Sequence, residues 1–181
     1  MKKLIIIITV LFFIATANAQ VIKASLQASG LTCSMCSNAI NKSLRSLDFV
    51  DKVEANIKNS SFEMSFKPGS NVDFDKIKKK VEDAGFFVAN FSATVRFENT
   101  TLANDSHLEL NGTIFHFLNI KDQVINGDKS LKILDKGFVT GKAYKQNGKY
   151  TLMECYKTGV AGSCCAKDGL KEGTRIYHVT I

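Results

Sequence analysis

Tryptophan is absent from this chain of 181 residues, and proline occurs once, at Pro68. Without a tryptophan anywhere, or a proline between the paired cysteines Cys33 and Cys36, a thioredoxin-like redox centre is disfavoured. No Arg-rich run or aromatic platform accompanies the basic residues, whose only cluster is Lys76 with Lys78-Lys79-Lys80. Nucleic-acid binding needs a clustered basic footprint and is disfavoured too. The cluster reads as a solvated helix face, of the kind that docks an acidic partner. No Ser-His-Asp set, phosphate-cradling loop or paired carboxylates stand at motif spacing, so catalysis is not indicated. His107, His116 and His178 lack a spacing such as H-x-x-x-H and read as surface or packing histidines.

What is present begins with Lys2-Lys3, an apolar run from Leu4 to Ile14, and Ala15-Thr16-Ala17-Asn18-Ala19. A basic start, an apolar centre and an A-x-A site predict a secretory signal peptide over residues 1–19, with the mature chain starting at Gln20. The apolar run is shorter than the roughly 20 residues a membrane span requires, so no span is expected after cleavage. No cysteine follows the cut, which disfavours lipid attachment. The mature protein is expected to be exported, and periplasmic if the source is a double-membrane bacterium. Removing the two signal lysines leaves 22 basic against 17 acidic residues, a net +5.

The remaining chain fits two small domains: residues 20–97, a polar linker over 98–106 without sustained period, and a β-rich domain over 107–181. Val21 to Ala28 is strand-like and closed by Ser29-Gly30. Ala39, Ile40, Ser43, Leu44 and Leu47 recur at helical spacing. Val53, Ala55 and Ile57 alternate, then Phe62, Met64 and Phe66, with Lys58-Asn59-Ser60-Ser61 as the turn between them. Asp73 is the N-cap expected before a helix holding Phe74, Ile77, Val81 and Ala84, and Gly85 is the residue expected just beyond its end. Phe86 to Val95 completes a βαββαβ order, so the fold class is α+β with a ferredoxin-like first domain.

Gly30-Leu31-Thr32-Cys33-Ser34-Met35-Cys36 opens the first helix and Asp83-Ala84-Gly85-Phe86 closes the second. In both motif and element order, residues 21–95 resemble the heavy-metal-associated domain of copper chaperones, of metal-pumping ATPases and of the periplasmic mercury-binding protein. The resemblance implies a metal held by Cys33 and Cys36. It also implies a packing role for Leu31, where the family usually has methionine, and a shielding role for Phe86 beside the metal.

Thiolate is the ligating form, and the free N–H groups and positive dipole end of the first helix favour thiolate at Cys33 and Cys36. Two thiolates suit Cu(I), which accepts soft ligands at low coordination number, and are incomplete for structural zinc with its four ligands. Cu(I) is therefore the expected cation, with Hg(II), Zn(II) and Cd(II) as alternatives. A two-ligand site leaves room for an incoming thiol, so a metal-donor or metal-acceptor protein, such as a metal transporter, is the expected partner. The rival reading is a periplasmic thiol-disulfide protein in which Cys33 and Cys36 cycle and Cys164-Cys165 relays.

Three cysteines remain, Cys155, Cys164 and Cys165. They are compatible with a disulfide from Cys155 to one of the adjacent pair, with a second soft-metal site joined by Met153 or His178, or with an intermolecular or redox thiol. Around them, residues 107–110, 113–118, 131–134, 137–144, 149–155 and 175–181 read as strands. Asn111-Gly112, Asn126-Gly127 and Asn147-Gly148 read as hairpin turns.

Overall fold

The computed structural model describes residues 20–31 and 34–181. The leader expected over residues 1–19 and the candidate ligand Cys33 lie outside the described residues. The elements run β1 (Val21–Ser29), α1 (Ser34–Arg45), β2 (Val50–Asn56), β3 (Ser61–Phe66), α2 (Phe74–Asp83), β4 (Phe87–Leu102), β5 (Ser106–Leu110), β6 (Thr113–Phe117) and β7 (Gln123–Ile133). Then come α3 (Gly141–Asn147), a single turn α4 (Cys155–Thr158), a 3-10 turn (Ser163–Asp168) and β8 (Ile176–Thr180). Among the described residues no helix is long and apolar enough to cross a membrane.

The first six elements form the βαββαβ unit. Its strands lie in the order β2-β3-β1-β4, every pair antiparallel. Ala24, Leu26 and Ala28 of β1 alternate into the core with Phe62, Met64 and Phe66 of β3, and Ile40, Leu44, Ile77 and Val81 close it from the helices. Period-two patterning on strands and one apolar stripe per helix produce this sandwich. Asp73 caps α2, its carboxylate accepting from Lys76 N–H at 3.0 Å. At the other end Gly85 takes φ +88°, a conformation only glycine adopts cheaply. This lets Gly85 N–H reach the Glu82 carbonyl at 2.9 Å and Phe86 N–H reach the Val81 carbonyl at 3.1 Å. That is the Schellman closure, and it fixes where Phe86 leaves the helix.

The second half does not form a sheet of its own. β7 pairs antiparallel with β4, and β8, β6 and β5 follow, giving one eight-stranded sheet in the order β2-β3-β1-β4-β7-β8-β6-β5. The stretch expected as a linker over 98–106 is strand as far as Leu102 and becomes strand again at Ser106. Its polar composition reflects solvent exposure along the β4–β7 ladder, where Glu98, Asn99 and Thr101 point outward. Asn126-Gly127 lies inside β7, opposite the register shift between Phe97 and Thr100, and makes no hairpin. The strands expected at 137–144 and 149–155 are also absent. Thr140 caps α3, accepting from Ala143 N–H at 3.3 Å, Asn147-Gly148 ends that helix, and Cys155 begins α4. A hydroxyl cap outweighs the weak β preference of this run.

The two halves share buried surface. Phe74 of α2 packs on Phe91 of β4, Phe115 of β6 and Tyr177 of β8, with ring centroids 5.4, 6.2 and 5.0 Å away. Asp75 accepts from Arg175 Nε at 2.7 Å and from the Tyr177 hydroxyl at 3.0 Å. Burial alone would raise the Asp75 carboxyl. Arg175, Tyr177 and Lys78 outweigh it and hold the group below its ordinary value. A carboxyl depressed on folding adds stability above its unfolded value of about 3.9, and that stability fades as pH falls through the folded value. The denaturant midpoint is therefore expected to drop below about pH 4, and to drop less in Asp75→Asn. Equal acid sensitivity in the two proteins would remove Asp75 from the account.

Candidate metal centres

The amino-terminal candidate lies where β1 gives way to α1. Cys36 is half-buried in the first turn of α1, and Met35 beside it is 81% exposed. Leu31 packs against the core as a partly buried residue, in keeping with the packing role expected of it. Phe86 is held next to this loop, since a Cβ added at Gly30 would stand 3.9 Å from the Phe86 ring. Gly30 itself takes φ +85° at the bend between strand and helix.

The carboxy-terminal cysteines converge. β6 is buried on both faces: Phe115 and Phe117 enter the core shared with α2, whereas Ile114 and His116 face the segment that carries the thiols. β8 repeats this, with Tyr177 and Val179 on one face and Ile176 and His178 on the other. α4 brings Cys155 over that second face, and the 3-10 turn brings Cys164 and Cys165. All three are free thiols, so the disulfide weighed from the sequence is not formed here. Their sulfurs lie within 4.8 Å of one another, with 3.4 Å between Cys164 and Cys165.

Of the histidines, the sequence offered only His178 to this group, whereas the structure brings His107 and His116 to Cys155 and leaves His178 bonded to Asp135. His107 lies opposite His116 in the β5–β6 hairpin, and His116 lies beside His178 in the parallel β6–β8 pair. The rings of His107 and His116 stack at 4.2 Å. His107 Nε2 is 4.0 Å and His116 Nδ1 is 3.7 Å from Cys155 Sγ. The other ring nitrogens are engaged by carboxylates, His107 Nδ1 by Asp168 at 2.6 Å and His116 Nε2 by Asp105 at 2.9 Å. His178 bonds Asp135 through Nδ1 at 2.7 Å, and its Nε2 is buried with no hydrogen-bond partner. Met153 packs against the same cluster, partly buried.

Electrostatics differ within the group. Burial, together with the neighbouring His178 and His107, pushes His116 down to about 4 despite Asp105, so the ring is neutral at physiological pH. Burial, reinforced by Cys165 and Cys164, pushes the Cys155 thiol up. Burial would do the same to Cys164, but backbone N–H groups of Cys155 and Glu154 and the adjoining thiols bring it below an ordinary thiol. Burial keeps Cys165 raised. A surface cleft lined by Glu154, Cys155, Ala161, Gly162, Cys164 and Glu172 opens at Cys155 and Cys164.

Strand order and helix placement make residues 21–97 a ferredoxin-like α+β unit. Residues 25–87 of that unit match the heavy-metal-associated domain family. A probable copper-exporting P-type ATPase from Archaeoglobus fulgidus is 31% identical over 74 residues, covering 41% of this chain and 9% of the ATPase. A copper-transporting ATPase from Helicobacter pylori is 36% identical over 64 residues, covering 35% of this chain and 8% of its own. The chain thus spans less than a tenth of the length of these two relatives. Among solved structures, the yeast copper transporter domain Ccc2a shares 34% identity over 36% of this chain and 88% of that one, with a TM-score of 0.33. CopZ metallochaperone shares 25% identity over 37% of this chain and 98% of that one, with a TM-score of 0.35.

Proposed function

We propose that this protein binds a soft cation, Cu(I), through Cys33 and Cys36 and passes it to a partner by thiol exchange. The match of residues 25–87 to the heavy-metal-associated family carries this reading, because it takes in the Gly30–Cys36 segment and both copper ATPase relatives align within the same unit. The cation is cargo. Two thiolates hold Cu(I) firmly enough to shuttle it and leave coordination positions open for an attacking thiolate. Met35 and Phe87, 81% and 69% exposed, offer a partner apolar contacts near the start of α1, and the Phe86 ring lies close to Gly30. The leader pattern of residues 1–19 supports work outside the cytoplasm, with a membrane transporter or a second carrier as donor or acceptor. Delivery and sequestration use the same exchange chemistry.

Transfer is the direct test. Cys155→Ser protein carrying one Cu(I), so that only the amino-terminal pair reports, is mixed anaerobically with an apo heavy-metal-associated domain of different mass, and the metal on each is read by native mass spectrometry. Redistribution within minutes, lost in Cys33→Ser with Cys36→Ser, is the expected result. Cu(I) that never leaves, or a reversible loss of two protons from Cys33 and Cys36 without metal uptake, would replace the carrier reading with storage or thiol-disulfide chemistry.

A further inference from the structure

We propose that Cys155, His107 and His116, with Cys164 or Cys165 as a fourth donor, form a second metal site that takes a closed-shell d10 cation, Cu(I) or Zn(II). The inference does not depend on the amino-terminal pair. β1 and β6 are four strand spacings apart in the sheet, about 19 Å at about 4.8 Å per spacing, so the two sites are separate.

The donor set comes first. Two triads meet at one sulfur: His107, His116 and Cys155 have ligand atoms within 4.8 Å of one another, and so do Cys155, Cys164 and Cys165. Ligands at about 2.3 Å (sulfur) and about 2.0 Å (nitrogen) from one ion, spread by about 109–120°, stand about 3.5–3.7 Å apart. The distances of Cys155 Sγ to His116 Nδ1, 3.7 Å, and to His107 Nε2, 4.0 Å, are within a few tenths of an ångström of that spacing. Little side-chain movement is needed to close such a site.

The outer shell comes second. A ligating histidine characteristically gives its other ring N–H to a carboxylate, which fixes the tautomer and aims the free lone pair. Asp168 does this for His107 and Asp105 for His116, so both free lone pairs face the Cys155 sulfur. Packing alone does not require two imidazoles, each held by a carboxylate at its far nitrogen, to converge on one thiol. The 3-10 turn supplies Cys164, Cys165 and Asp168 together, so one short segment carries the fourth donor and an orienting group.

Access and preference come third. The cleft at Cys155 and Cys164 gives an entry path, with Glu154 and Glu172 lining it to attract a cation. Burial of Cys155 and Cys165 excludes competing water. Thiolate with imidazole suits Cu(I) and Zn(II) and is a poor match for Mg(II) or Ca(II), which want oxygen. On binding, each ligating thiol releases its proton to solvent.

The test uses full-length mature protein with Cys33→Ser and Cys36→Ser, reduced and anaerobic, offered Cu(I) or Zn(II) separately and read by native mass spectrometry and X-ray absorption. One retained equivalent with a shell of both sulfur and imidazole nitrogen is expected, and the ion retained against a chelator tells Cu(I) from Zn(II). Asp168→Asn, which keeps the shape of the partly exposed side chain, is expected to lower affinity roughly 10- to 100-fold. Cys155→Ser is expected to abolish retention, with circular dichroism as the check that the variant still folds. No retained equivalent of either ion, a shell without nitrogen, or unchanged affinity in Asp168→Asn would each overturn the proposal. None of these outcomes bears on Cys33 and Cys36.

Discussion

Serine at both Cys33 and Cys36 is expected to weaken Cu(I) binding at the amino-terminal site by far more than the roughly 10- to 100-fold that loss of an outer-shell partner alone costs. The hydroxyl is a hard, protonated oxygen where the ion needs soft sulfur. No other thiol of the chain stands in for the pair, since Cys155, Cys164 and Cys165 cover the far end of the sheet. The measurement is competition against a Cu(I) chelator in a Cys155→Ser background, so that a single site reports. An affinity within tenfold of the parent would mean that other ligands hold the ion, and the carrier mechanism would lose its basis.

Phe74→Ala is expected to cost about 3–5 kcal/mol, the usual range for emptying a fully buried phenylalanine site. Phe74 is 0% exposed, and its ring touches aromatic residues on β4, β6 and β8. The cavity would therefore open at the seam between the halves, and protection from hydrogen exchange should fall in β1 and β4 as well as in β6 and β8. Urea unfolding gives the free energy. A loss under about 1 kcal/mol, or two separated transitions in the parent, would show that the halves do not share one core.

The βαββαβ half was legible in the sequence because each of its elements is locally consistent. Phe62, Met64 and Phe66 alternate, Asp73 caps, Gly85 closes, and the structure has all three. The second half was legible only in part, for identifiable reasons. Thr100, Thr101 and their neighbours looked like a linker because a solvent-facing ladder needs no apolar side chains, and Gly137 to Tyr144 looked like strand because one threonine cap is a small signal. The three carboxy-terminal thiols could be named as a group, but their histidine neighbours were hidden, since a site assembled from a hairpin and two short turns leaves no fixed spacing. One sequence feature did contain the missing step. A two-residue turn at Asn111-Gly112, both with positive φ, sets Leu110 opposite Thr113, and counting back three places from that closing pair sets His107 opposite His116.

β8 is the final strand along the chain, but it sits between β7 and β6 in the sheet, parallel to β6. The β5–β6 hairpin is made some sixty residues earlier and has no other route into the sheet. Long-range parallel pairing of this kind is slow to form, because loop closure must be met before the contacts compensate for it. Completion of the histidine row should therefore be a late step, since it waits on the docking of β8. A nascent chain would acquire the parts of its first site well before those of its second.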